Sequence, residues 1–245
     1  MDIKRSLDSK ESSEEVVLRG ETHADKVLGT DWLPKEDKFS FKIKIESASV
    51  NDKSTAVPVK LTKRQILSKL AGTLNPVGAG ATLLFKPKTA MQQLWQIGLG
   101  WDEDVPPNER IKCLALFEKM TAFNYVKFDL YLTPPGTNGN PSLADFCDAL
   151  QLASGACAYT RWKLADGKFS TRFVAAKTRV AALKELMIPR PDLQATVLGS
   201  SLGKSILQES RFNFERVCYL TDSHVALAWI KGRTPLQTLC FLHSG

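Results

Sequence analysis

From Phe39 to Ile45 the apolar residues Phe39, Phe41, Ile43 and Ile45 alternate with Ser40, Lys42 and Lys44, the period of a strand with one buried face. A second apolar stretch, Val27 to Trp32, precedes it, and the turn formers Pro34-Lys35-Glu36-Asp37 between the two predict a hairpin. The period then becomes helical. Thr62-Lys63-Arg64-Gln65 has capping-box spacing, in which the Thr62 hydroxyl and the Gln65 amide each satisfy a backbone donor of the other, so a helix is expected to start there. Ile66, Leu67, Leu70, Ala71 and Leu74 form its apolar face, and Asn75-Pro76 stops it. A further helical pattern runs from about Ala81 to Ile97, where Pro87 predicts a kink or a late start. A third spans Asn108 to Met120. Residues 1 to 25 are charged without a sustained apolar period and read as a tail or a frayed helix.

Thr133 to Pro141 concentrates turn formers and holds no large apolar residue to bury, which predicts a domain boundary and a loose linker as the only tie between two halves. Beyond it, Leu143 to Cys147, Ser154 to Trp162 and Phe169 to Val180 read as strands. A helix from Pro191 to about Glu209, a strand from Arg216 to Thr221 and a helix from His224 to Ile230 follow. The expected class is α+β or α/β: a hairpin and a small helical bundle, then a mixed sheet with flanking helices.

With 245 residues and 43% hydrophobic content, the chain is long enough for two modest cores. A formal charge of +7 fits a phosphate-rich partner, and equally an ordinary soluble surface. Five cysteines lie mostly in apolar runs and lack zinc-ribbon spacing, so they read as small core residues in a reducing compartment. No run approaches the roughly 18 apolar residues of a membrane span, and the N-terminal residues are charged, so the expected setting is cytoplasmic or nuclear with no membrane partner.

Three aspartates stand where an expected strand ends or a helix begins: Asp148, Asp192 and Asp222. Carboxylates from separate elements can converge on magnesium or manganese, hard cations that take oxygen ligands, whereas three histidines are too few for a histidine-rich site. Each has a plainer reading. Asp148 fits a strand-end turn, Asp192 the favourable first turn of a helix, and Asp222 an N-cap for the helix begun by His224. Arg161, Trp162, Lys163, Lys177, Arg179 and Arg190 could line a path for a nucleic-acid backbone, with Lys60, Lys63, Arg64 and Lys69 as further phosphate contacts. Solvated strand edges and a polar helix face produce the same pattern. Ser201, Gly203 and Lys204 lack the glycine spacing of a phosphate loop.

The chain also carries a series of short motifs in order: Lys26-Val27-Leu28-Gly29 with Trp32, Thr62-Lys63-Arg64 before Ile66-Leu67-Ser68, Asn75-Pro76-Val77-Gly78, Gln93-Leu94-Trp95 and Trp101-Asp102. Phe146-Cys147-Asp148-Ala149, Ala175-Ala176-Lys177-Thr178-Arg179-Val180-Ala181, Ile188-Pro189-Arg190 and Thr221-Asp222-Ser223 with Ala228-Trp229-Ile230 continue it. In this order they resemble the polymerase polyprotein of Pao-type (BEL/Pao) retrotransposons, where reverse transcriptase meets ribonuclease H. The resemblance implies the end of a palm over 26–60, a thumb or connection over 61–132 and a ribonuclease-H-like domain over 142–245. It further implies Asp148, Asp192 and Asp222 as magnesium or manganese ligands, an RNA/DNA hybrid as substrate, and the remainder of the polyprotein as partner. Departures accompany it. No Asp-Asp pair is present for polymerisation, the second acid is an aspartate where the family pattern has glutamate, and the last strand and fourth acid are expected beyond Gly245. A hybrid-cleaving nuclease and a non-catalytic domesticated or relic fragment therefore stand as alternatives, with weak or no activity expected from this chain alone. The family region has also carried a peptidase label, but aspartic peptidase chemistry needs Asp-Thr-Gly or Asp-Ser-Gly, and neither occurs.

Overall fold

The computed structural model describes residues 25–27, 30–41, 43, 60–181 and 190–231. The expected tail before Asp25, the continuation of the Phe39 strand to Ile45, and Cys240 and His243 lie outside the described residues.

The N-terminal part is a four-stranded antiparallel sheet in the order β1-β2-β3-β4, formed by β1 (Asp25–Val27), β2 (Thr30–Leu33), β3 (Lys38–Phe41) and β4 (Lys127–Asp129). The expected hairpin is present as β2 and β3. However, the stretch Val27 to Trp32 is two short strands paired with each other, Val27 opposite Thr30, rather than one. Strand β4 was not legible, because Lys127-Phe128-Asp129 is too short to show a period.

Three helices pack beside this sheet: α1 (Lys63–Ala71), α2 (Ala81–Gln96) and α3 (Pro107–Thr121). The Thr62–Gln65 capping box forms in both directions, at 3.3 and 3.0 Å. Helix α2 runs through a buried Pro87, so the expected late start does not occur. Ile66, Leu84, Leu94, Phe117, Met120 and Phe41 of β3 share one core.

The second sheet has the order β7-β6-β5-β8, from β5 (Ser142–Leu150), β6 (Ala153–Lys163), β7 (Phe169–Val180) and β8 (Arg216–Leu220). Strands β5, β6 and β7 form an antiparallel meander, and β8 joins β5 in parallel, which makes the sheet mixed as expected. Helix α4 (Arg190–Glu209) lies across β5 and β6, and α5 (His224–Lys231) follows β8. A second core, with Leu143, Ala156, Ala158, Ala195 and Leu202, fills the space under α4. Two glycines one helical turn apart permit the close approach of α4. A Cβ on Gly199 would stand 3.1 Å from the Cys147 Cβ, and one on Gly203 would stand 2.6 Å from the Tyr219 hydroxyl.

The expectation that only residues 133–141 tie the halves together is corrected. The Ala176 N–H on β7 donates to the Val77 carbonyl at 2.8 Å, and the Gln92 amide of α2 donates to the Ala181 carbonyl at 2.7 Å. Phe128 of β4 lies 6.2 Å from Phe173 of β7, ring centre to ring centre, and Arg172 approaches Asp129 at 3.4 Å. The 133–141 segment is itself held to the β6–β7 turn, through Asn138 N–H to Lys163 O and Ala165 N–H to Gly136 O. Backbone groups of a polar loop need partners, and here the neighbouring hairpin supplies them.

Candidate functional site

Along β5 burial alternates, so Leu143, Asp145 and Cys147 face α4 while Ala144, Phe146 and Asp148 lie on the other face. Asp148 is exposed, stands opposite Gly155 of β6, and accepts from the Ala149 N–H at 2.6 Å. The register of β5 and β8 runs from Ser142–Arg216 to Phe146–Leu220, and its continuation sets Asp148 level with Asp222 just past the end of β8. The strands carrying these two acids are therefore neighbours.

Asp192 sits half-buried in the first turn of α4, and its Oδ2 accepts from the Ser223 hydroxyl at 2.7 Å. The same Ser223 oxygen accepts from the Ala226 N–H at 3.2 Å, so Ser223, and not Asp222, caps α5. This corrects the capping assignment. It leaves Asp222 exposed and free of that duty. Asp192 is thus tied to the Asp222 turn, while Asp148 belongs to the opposite face of the sheet. Among the described residues, no group of three or more histidine, cysteine, aspartate or glutamate side chains is close enough to hold a metal ion. In this arrangement the three aspartates do not fit a divalent ion shared by all of them.

The sequence reading passed over one acid. Asp145 is 0% exposed, and neither carboxylate oxygen has a hydrogen-bond partner of regular geometry. Burial pushes its pKa up to about 7, and the nearby backbone of Gly203 offsets this only in part. Cys147 and Cys157 lie near enough for the Asp145 charge to raise their pKa values further, after burial itself; Cys147 reaches about 11. The described thiols Cys113, Cys147 and Cys157 are accordingly held protonated by burial, as core residues should be. The signal for Asp145 was present: an acid at an inward position of a run otherwise read as apolar.

The cations divide into two groups. Lys177 and Arg179 pair with Ala156 and Ser154, which face α4, so both lie on the α4 side of edge strand β7. Arg161 and Lys163 project from the opposite face at the other end of β6, with the Arg161 guanidinium 3.5 Å from the Phe169 ring centre. Trp162 is corrected. It is 4% exposed, donates to the Leu132 carbonyl at 2.9 Å and packs edge-on against Phe212, so its ring has no free face for a base. Lys63 is likewise buried: its ammonium donates to the Leu99 carbonyl and lies over Trp95 and Trp101. Arg64 is engaged by both oxygens of Asp102, at 2.8 and 2.9 Å. The Arg190 side chain lies outside what is described.

Residues 62–223 match the family described as the Pao retrotransposon-like RNaseH-like domain. The chain belongs to this family. The match takes in both the helical part and the β5–β8 sheet, and agrees with the order of motifs in the sequence. Among solved structures, the foamy viral protease-reverse transcriptase in complex with dsDNA is similar at a TM-score of 0.45 and 12% identity, over 91% of this chain and 45% of that one. The dRH form of that protein with ds DNA gives 0.42 and 14%, over 87% of this chain and 33% of that one. The Pao-family chain thus spans less than half the length of either. No curated protein matches it.

Proposed function

We propose that this chain is a nucleic-acid-binding, RNase-H-like module of a Pao-type retroelement polymerase polyprotein, and that on its own it cleaves nucleic acid poorly. Family membership and exposed cations beside the sheet support the binding half. Released counterions drive such association, so binding should weaken steeply with added salt. Residues 61–132 are proposed as the thumb or connection, and the remainder of the polyprotein as the partner. The setting proposed is intracellular, and no described helix is long and apolar enough to cross a membrane.

The observation that carries the catalytic half is the separation of the acids. Asp192 is held by Ser223, and Asp148 faces away from α4. Hydrolysis by two metal ions needs carboxylates gathered on a common pair of ions in line with the scissile bond. One observation favours the enzymatic reading, namely that the β5–β8 register brings Asp148 level with Asp222. A magnesium- or manganese-supported cleavage assay on a labelled RNA/DNA hybrid, run beside Asp148→Asn, separates the two readings. The expected result is no more cleavage by the wild type than by the variant. Robust cleavage that disappears in Asp148→Asn would make this chain a nuclease.

A further inference from the structure

The two cationic groups cannot serve one strand equally. Arg161 and Ser154 are seven positions apart on β6 and on opposite faces, about 23 Å apart along the strand at roughly 3.3 Å per residue. Arg179 of the Lys177–Arg179 group borders a concavity. Helix α4 covers β5 and β6 and touches β7 more lightly, and beside Arg179 lies a groove of about 350 Å³. Its lining includes Arg179 and Ser154 on one side and Leu193, Gln194, Val197 and Ser201 of α4 on the other. Leu193 and Gln194 directly follow Asp192.

The groove combines features that a solvated edge does not require. Val197 is 69% exposed on the α4 wall, an apolar branched side chain that lines the same groove as Arg179. Lys177 and Arg179 are exposed, and no ion pair joins either to a described acid. They alternate on one strand, about 6.6 Å apart by strand rise, close to the spacing of successive phosphates in an extended nucleic-acid strand. Charge along one wall and apolar surface along the other suits a polyanion that carries flat apolar groups.

We propose that this groove holds one strand of a nucleic acid, with Arg179 and Lys177 on successive phosphates and with Leu193 and Val197 under a base. The inference rests on the nucleic-acid-binding reading above, and adds which face is used and which residues select the ligand. Arg161 and Phe169, although they look like a stacking pair, are left outside the path.

The test is equilibrium binding of a fluorescent single-stranded oligonucleotide to the full chain across a salt series. Arg179→Gln should weaken binding about tenfold, the scale of one charge-assisted hydrogen bond, and lower the salt slope by about one. Val197→Ser should weaken binding to the oligonucleotide but not to heparin, which has charge and no bases. Arg161→Gln should leave both unchanged. Wild-type binding that is indifferent to Arg179→Gln, or that falls with Arg161→Gln instead, overturns the groove while leaving the general reading in place. Equal effects of Val197→Ser on both ligands overturn the base contact. No wild-type binding at all overturns the proposed function and this inference with it.

Discussion

Replacing Asp145 by asparagine should make the protein more stable at pH 8 and remove most of its pH dependence between pH 4 and 7. The carboxyl titrates near 7 in the folded chain against 3.8 as its ordinary value, because burial opposes its charge. Between those values the folded state holds a proton that the unfolded state has released, so stability falls as pH rises, and the full penalty applies above about 7. At about 1.36 kcal/mol per unit the penalty reaches at most about 4 kcal/mol, and residual screening brings the expected figure nearer 2 to 3. Asparagine keeps the shape and never ionises. Its amide stays without a regular partner, a cost that is the same at every pH. The groups facing Asp145 do not compensate its charge: Cys147 shares its strand, Tyr219 comes from β8, and α4 offers Gly199 and Gly203. Denaturant unfolding of both proteins from pH 4.5 to 8.5 checks this. Parallel stability curves would mean that water or a cation reaches Asp145 after all.

Gly78→Ala should cost about 2 to 5 kcal/mol, a large share of the roughly 5 to 15 kcal/mol that holds a typical domain together. Gly78 has φ of 75°, in the left-handed region, and a Cβ there would stand 1.7 Å from the Ala176 carbonyl oxygen. The left-handed conformation alone costs an alanine about 1 to 2 kcal/mol, and overpacking against backbone that cannot rotate away adds about 1 to 3. Gly98 is the control. Its φ of 73° is similar, but a Cβ there meets nothing within 4 Å, so Gly98→Ala should pay only the conformational part. If both substitutions shift the unfolding midpoint equally, the contact between the Asn75–Gly78 turn and β7 does not stabilise the fold.

Local chemistry was readable where the chain repeats a period. The capping box at Thr62 and the strands β5, β6, β7 and β8 followed from alternation, caps and turn residues, and the structure places their ends within three residues of the expected positions. What escaped depends on partners distant in sequence. Strand β4 exists because Phe128 packs on Phe39 and Phe41, and three residues have no period of their own. Trp162 looked like a stacking residue between two cations, but its parity on β6 turns it inward onto Leu132 and Phe212. The acids followed the same rule. Their elements could be located from sequence, whereas the face on which Asp148 lies and the Ser223 hydroxyl that holds Asp192 are tertiary facts.

The bond from Ala176 to Val77 has a meaning beyond joining two halves. Strand β7 ends its sheet, and an outer strand with free N–H and carbonyl groups is a template for another chain. The Asn75–Gly78 turn occupies that template at its middle, and Gln92 occupies the carbonyl just past its end. The helical part therefore shields the outer strand of the sheet it precedes. A sheet half expressed without it would present twelve residues of bare edge, Phe169–Val180, and would be prone to pair with its own copies.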